Sequence, residues 1–301
     1  MYRWYRNFDR LWLLREKVSN QSRLLSSLCY LPTPYYDMAK RLTKQDRAFL
    51  KLLRELLEYG RAHMRHRIPN SGESYEKTAL YLLYRFTEEQ LEAIEVLCKK
   101  AMASQAVSQL RNVFEAELYA FYLSGRGSER RVALYAIGGV ELQIRSLRGF
   151  KAFVQKYPTW KDRDELTNLK TLETGINEKL KNIKTVRRNY SLRRKDSLPS
   201  VERISQLCDI TGPKKYRKGN TEYLYQLLYR YSSTHIHPTP LALDRFLIKK
   251  PSENDLNEAV LATATVLFLD LLKLLKRQGV LDSKVKLGRF TKRHNQLRKK
   301  G

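Results

Sequence analysis

Cysteine is scarce in this sequence. Only three occur among the 301 residues, and Cys29, Cys98 and Cys208 lie far apart. They form no Cys-x-x-Cys pair and show no Cys/His spacing typical of a zinc site. A disulfide framework is disfavoured for the same reason. We therefore predict neither a bound metal nor any other cofactor.

Signals for β-structure and for phosphate-cradling loops are also missing. No segment alternates apolar and polar residues over a strand length, and the Asn-Gly dipeptides that mark β-hairpins do not occur. The sequence SGRGS at residues 124–128 lacks the Walker spacing and its Lys-Ser/Thr ending, so it is predicted to be a turn. Without paired metal-binding carboxylates or a serine elbow, phosphotransfer chemistry is disfavoured. We predict an all-α fold.

The sequence has no long uncharged apolar run. Its most apolar stretch, residues 259–275, contains Asp270 and Lys273 and is short for a transmembrane helix. Residues 1–14, MYRWYRNFDRLWLL, carry charges throughout and lack the apolar segment of a secretory signal. These observations predict a cytoplasmic protein with no stable membrane insertion.

Helical patterning divides the chain into three parts. Residues 1–70 are predicted to be a basic N-terminal helical arm and residues 71–282 a bundle of long antiparallel helices. Residues 283–301 are predicted to be a basic tail, because residues 284–300 hold eight basic residues and no acid. Such a run is expected to be partly disordered until it meets a polyanion.

Capping residues predict where several helices begin and end within these three parts. Thr43 with Asp46, and Thr87 with Gln90, have the spacing of capping boxes. The second is expected to begin one long helix that ends near residue 122. Further helices are predicted at about residues 129–155, 162–186, 198–208 and 252–278, the last one closed by Gly279.

The most unusual property is the positive charge. The chain has 58 Lys and Arg against 31 Asp and Glu, a formal net charge of +27. This excess is larger than solubility requires, so a polyanion is the expected partner. Nucleic acid is the first candidate, since it supplies dense and regular phosphates.

The strongest charge run is KLKNIKTVRRNYSLRRK at residues 179–195, with eight basic residues and no acid. A tyrosine in the middle could stack on a base of a single-stranded nucleic acid while the basic groups hold phosphates. The alternative is a solvated basic loop. The candidate substrate-binding residues are Arg187, Arg188, Tyr190, Arg193, Arg194 and Lys195, with Lys214 and Lys215 in the nearby PKKYRK segment.

The chemically richest segment is TEYLYQLLYRYSSTHIHPTP, residues 221–240. Pro238 discourages the α conformation just before it, so a helix is predicted to end near the histidines. The guanidinium of Arg230 can hold a phosphate, and the imidazole of His235 or His237 can move a proton near neutral pH. In outline, these groups suffice for general acid/base cleavage of a phosphodiester without a metal.

These residues resemble a known superfamily. The intervals from Arg230 to His235 and to His237 both fit the R-x4-6-H signature of HEPN domains, which are helical and bind nucleotides or cleave RNA. The surrounding sequence also resembles an uncharacterised family of bacterial all-α proteins, in which a tyrosine-rich helix is followed by a serine, a histidine and a proline. The matching residues are Tyr225, Tyr229, Ser233, His237 and Pro238, together with an upstream pair, Arg111 and Glu115, over a region of residues 90–247.

The resemblance implies a metal-independent endoribonuclease that acts as a homodimer. Arg230 would bind the scissile phosphate and His235 or His237 would be the general base or acid, while Glu115 would orient them. Arg111 and Ser233 would contact the substrate. Many such proteins are toxins or antiphage effectors that a partner restrains, so a neutralising antidote is implied as well.

A noncatalytic reading also accounts for these residues. A nucleic-acid-binding helical protein, or a subunit of a nucleoprotein assembly, needs only the positive charge. In that case His237 caps the end of its helix. Arg111 and Glu115 are then an intrahelical ion pair on a solvated face, worth about 0.3 to 0.5 kcal/mol.

Overall fold

A computed structural model describes residues 42–64, 75–100, 102–125, 127–161, 168–211, 220–226, 228, 253–282, 284 and 286–299. Within these residues the regular elements are nine α-helices and one short 3₁₀ turn, so the predicted all-α helical bundle is confirmed. The helices are α1 (Lys44–His63), α2 (Tyr75–Lys99), α3 (Ala103–Leu123), α4 (Ser128–Lys156), α5 (Leu169–Asn189), α6 (Val201–Thr211), α7 (Asn220–Leu224), α8 (Glu253–Arg277) and α9 (Gly288–Arg298). The 3₁₀ turn is Pro158–Trp160, directly after α4.

The start of α1 is the predicted capping box. The Thr43 hydroxyl accepts a hydrogen bond from the Asp46 amide at 2.9 Å, and the Thr43 amide donates to the Asp46 carboxylate at 2.9 Å. Two of the helix's unpaired amide donors are thereby satisfied. An apolar stripe that includes Phe49 and Leu53 is fully buried, and α1 packs with it against α8.

The long helix predicted from Thr87 has the wrong start and is interrupted, whereas its predicted end near residue 122 agrees with the end of α3 at Leu123. Thr87 lies in the middle of α2 and is fully buried, and the helical run has a break between the end of α2 at Lys99 and the start of α3 at Ala103. No residue before Thr87 stops a helix, so the helix continues through it. At the break, the side-chain amide of Asn257 donates to the Cys98 carbonyl at 3.3 Å, which satisfies one of the unpaired carbonyls at the end of α2.

Helices α2 and α3 form an antiparallel pair around this break. The Asn112 side chain donates to Gln90 at 3.1 Å, and these residues lie equally far on either side of residue 101. Helix α8 then crosses α1, α2 and α3 at the centre of the core. Its Phe268 and Leu272 are fully buried, as expected for a central packing helix. Gly279, at φ 70°, ends the helix as predicted.

The predicted basic tail contains helix α9, which packs against α1 and α8. Phe290 and His294 are buried, and the His294 ring lies 3.1 Å from the Ala262 carbonyl. The expectation of partial disorder is therefore wrong for this segment. The apolar residues of α9 recur at helical spacing and form a buried stripe. They are few among many charged residues, so composition alone does not predict this stripe.

Among the helices that the structure describes, none has the length and apolarity needed to cross a membrane. The predicted absence of a membrane-spanning helix thus agrees with the described part of the chain. Helix α8, the central packing helix of the bundle, is among those that fail this test.

Candidate nucleic-acid interface

Helices α4 and α5 form an antiparallel hairpin that carries the basic run. Lys151 of α4 bonds to Glu173 near the start of α5 at 2.7 Å, while Gln143, earlier in α4, accepts from Lys179, later in α5, at 2.6 Å. The hairpin also has a small core of its own, separate from the main one. This core is formed by Ala133, Leu134, Ile137 and Leu192.

One face of α5 presents a row of basic side chains. Lys181, Lys184 and Arg188 are spaced by three and four residues, which places them on the same side of the helix. All three are exposed. No salt bridge to any of them occurs within the described part of the chain. Like charges in such a row repel one another, so the row favours an anionic ligand.

The chain leaves α5 through a well-defined turn. Ser191 has a φ of 50°, in the left-handed region that glycine usually occupies. The Leu192 amide donates to the Arg187 carbonyl at 2.8 Å and the Ser191 amide to the Arg188 carbonyl at 3.2 Å. This is a Schellman motif, and the buried side chain of Leu192 completes it by packing in the hairpin core. The end of the basic run therefore has a fixed backbone.

Asp196 holds this turn in place. Its carboxylate accepts from the Arg193 amide at 2.8 Å and from the Arg130 guanidinium, on α4, at 2.6 Å. The Arg193 amide, together with the charges of Arg130, Arg193 and Arg187, holds the pKa of Asp196 below its ordinary value. Arg187 is also used internally, because it donates to the carbonyls of Arg193 at 2.6 Å and Asp196 at 3.0 Å.

Of the predicted substrate-binding residues, those on the outside of the turn remain exposed. The Arg193 side chain is 70% exposed, and Arg194 and Lys195 are exposed beside it. We call these three and the row on α5 the basic surface. Its six members are Lys181, Lys184, Arg188, Arg193, Arg194 and Lys195.

Tyr190 was predicted to stack on a base, but the structure gives it a packing role. Its ring is half-buried against the small hairpin core, and burial raises the pKa of its hydroxyl. The tyrosine therefore supports the turn from inside. Its stacking on a base stays a prediction.

A second feature lies on α3, where Arg111 and Glu115 are one turn apart. Glu115 is half-buried, and burial raises the pKa of its carboxyl group while the charge of Arg111 opposes this effect. Burial and the charge of Glu115 both raise the pKa of Tyr135, on α4. The Tyr135 ring lies 5.0 Å from that of Tyr119. Glu115 is therefore a partly desolvated carboxyl group beside an arginine, which is an environment suited to positioning or proton transfer.

Comparison with known protein families matches residues 77–255 to a family of unknown function, DUF5677. This match covers more than half of the chain. The chain belongs to this family. No curated protein and no solved structure matches it.

The DUF5677 region runs from the start of α2 to the start of α8. It therefore includes both the basic surface and the pair of Arg111 and Glu115. Within it, α3 packs on α6 and α6 packs on α7, which leads into the histidine-containing segment. Tyr225 and Leu228, just after α7, are buried in the main core.

Six of the predicted site residues of the DUF5677 region lie outside the residues that the structure describes. They are Lys214, Lys215, Arg230, Ser233, His235 and His237. Their roles remain predictions. Within the described residues there is also no group of three or more His, Cys, Asp or Glu side chains that could hold a metal ion.

Sequence reasoning missed the function of Asp196. It is the first acid after eight basic residues, and that position was a usable signal for a group that organises the run. Its partner Arg130 lies far away in sequence, so the contact itself could not be predicted. The basic surface therefore depends on a residue that has the opposite charge.

Proposed function

We propose that this protein binds single-stranded RNA through the basic surface. The observation that carries the proposal is the row of Lys181, Lys184 and Arg188, which is exposed on one helix face with no acidic partner in the described residues. The seven residue steps from Lys181 to Arg188 span about 10 Å of helix, so the row can follow a short stretch of phosphates. The fixed turn after α5 extends the same positive charge.

Reversing the charge of this row is expected to weaken RNA binding strongly. In the variant Lys181→Glu/Lys184→Glu/Arg188→Glu, phosphate contacts are replaced by repulsion. We expect at least about tenfold weaker binding, and a salt dependence whose slope is smaller by about 2. Fluorescence anisotropy with a labelled single-stranded RNA at several salt concentrations measures both quantities.

The chain offers a closely matched control on α1. Lys44, Arg47 and Lys51 are exposed with the same three- and four-residue spacing. Lys44→Glu/Arg47→Glu/Lys51→Glu makes an identical change in net charge. If both triple variants lose affinity equally, RNA responds to total charge and the proposed surface is wrong. A DNA strand of the same sequence tests whether the 2′-hydroxyl contributes.

A metal-independent endoribonuclease is the second candidate, and the environment of Glu115 favours it. A half-buried carboxyl group beside Arg111 is the kind of group that positions a catalytic base. In this proposal Arg230 stabilises the scissile phosphate and His235 or His237 transfers the proton. The 2′-hydroxyl of the RNA attacks, so neither a metal nor another cofactor is needed. A homodimer and a restraining antidote belong to the same proposal through the HEPN resemblance.

The endoribonuclease proposal predicts RNA cleavage that persists in EDTA. Arg230→Ala and at least one of His235→Ala and His237→Ala should abolish cleavage while RNA binding stays within about twofold, which anisotropy can check. Glu115→Gln should shift the pH profile of the rate, because it removes a titrating carboxyl group. If the wild-type protein and all variants bind RNA equally and none cleaves it, the protein is a noncatalytic binding protein.

A further inference from the structure

The last turns of α4 and the residue that follows the helix expose three aromatic side chains. Phe150 and Phe153 are each 39% exposed and Tyr157 is 46% exposed, which is unusual for rings of this size. They are spaced by three and four residues, so they lie along one side of the helix end. The rings of Phe153 and Tyr157 are 5.3 Å apart and tilted by 49°. We call these residues the aromatic stripe.

Two basic residues of α4 lie next to the aromatic stripe. Residues 142–161 contain five basic residues and no acid. Among them, Lys151 pairs with Glu173 of α5, and Arg148 lies on the opposite side of the helix from the stripe. Arg145 and Lys156 are exposed three turns apart on the side next to the stripe, and the Lys156 ammonium group lies 5.3 Å from the centre of the Tyr157 ring. An apolar protein surface laid over this stripe would desolvate these cations without pairing them, which is unfavourable. A nucleic acid supplies both an aromatic face for each ring and a phosphate for each cation.

The helix carries no side chain at one position beside the stripe. Gly149 lies next to Phe150 and one turn before Phe153. A methyl group placed at its Cα would meet nothing within 4 Å. The space over Gly149, beside the stripe, is therefore open in the described chain.

We propose that the aromatic stripe stacks unpaired bases of the RNA whose backbone lies on the basic surface. This inference rests on the proposed function and deepens it, because it assigns the residues that contact the bases of the single-stranded RNA. Bases in a duplex are already stacked on one another and present only their edges, so they cannot occupy the stripe. The same hairpin then binds phosphates near its base and bases near its tip.

The test compares Phe150→Ala/Phe153→Ala with the wild-type protein on three probes of equal length. These are an oligoadenylate, an abasic strand with the same phosphodiester backbone, and a duplex. The variant should bind the oligoadenylate at least about tenfold more weakly, since each stacked base contributes about 1 to 3 kcal/mol. Its affinity for the abasic strand and the salt slope should not change, because no phosphate contact is lost.

Two further variants isolate the aromatic character. Phe153→Leu preserves the apolar volume and the contact with Tyr157. It should nevertheless bind the oligoadenylate measurably more weakly than the wild-type protein does. Leu142→Ala is the matched control, because Leu142 is an apolar residue on the same helix, 61% exposed, and is not aromatic. It should bind all three probes like the wild-type protein. Circular dichroism checks that helicity is equal in every variant.

The outcomes separate this inference from the proposed function. If the wild-type protein binds the oligoadenylate with strong salt dependence and the aromatic variants bind equally well, stacking is overturned and RNA binding stands. If the wild-type protein binds none of the probes, both proposals fail. If the aromatic variants convert a dimer into a monomer in light scattering and leave RNA affinity unchanged, the stripe is a protein interface and the inference is overturned.

Discussion

Replacing Gly60 with valine is expected to destabilise the protein by about 2 to 3 kcal/mol. Gly60 is buried in α1 where this helix meets α2 and α8. A Cβ at this position would lie 2.9 Å from the Tyr84 hydroxyl oxygen and 3.4 Å from the nearest Leu272 methyl group. Tyr84 is itself only 1% exposed and stacks on Phe268, so it has little room to move.

The matched control for this variant is Gly139→Val on α4. Gly139 is also in a helix interior, but it is exposed and a Cβ there meets nothing within 4 Å. Valine and glycine differ little in helix propensity, so stability should stay within about 0.5 kcal/mol of the wild-type value. Urea unfolding followed by circular dichroism measures both. Equal midpoints for the two variants would contradict the close approach of α1, α2 and α8.

The second large effect that we expect is a loss of stability when the Arg61 guanidinium is removed. The Glu88 side chain is only 3% exposed, and Arg61 and Arg85 each donate to one of its carboxylate oxygens. The variant Arg61→Met keeps most of the side-chain volume but leaves this buried carboxylate with one partner. We expect a loss of about 2 kcal/mol in the free energy of unfolding. Loss of every partner would cost more, but Arg85 remains.

Two companion variants make this result specific. Arg54→Met also breaks a pair between α1 and α2, but its partner Glu95 keeps a second bond from Lys99, so the loss should be below about 1 kcal/mol. Arg61→Met/Glu88→Met removes the charge that the single variant leaves stranded. It should return to within about 1 kcal/mol of the wild-type protein. If Arg61→Met alone is neutral, Glu88 is solvated and the buried pair does not exist.

The sequence predicted those parts of the fold that depend on near neighbours. The capping box of Thr43 and Asp46, and the terminal Gly279, depend on residues within one turn, and both are present. The predicted start at Thr87 failed because the same residue types also occur inside buried helices, where packing decides. The packing of helix α9 could not be predicted, because its buried apolar residues are a small part of a highly charged segment.

The candidate site shows the same limit. The basic run at residues 179–195 can be recognised from its charge alone. The sequence does not show, however, that Arg188 is exposed whereas Arg187 donates a hydrogen bond to the Arg193 carbonyl. That distinction depends on the turn and on Asp196, whose partner Arg130 belongs to another helix. The aromatic stripe was accessible in principle, because the spacing of Phe150, Phe153 and Tyr157 is helical.

The separate core of the α4–α5 hairpin has a consequence for how the molecule unfolds. The four buried residues of this core do not belong to the main core, which α4 joins only through Val132 and Tyr135, and the chief neighbour of α5 is α4. Because the hairpin shares few apolar contacts with the main core, it can unfold locally while the rest of the bundle stays folded. Amide protons of α5 should therefore exchange with solvent far sooner than those of α8. Heating would then give two transitions, and a single melting temperature would describe neither cooperative unit.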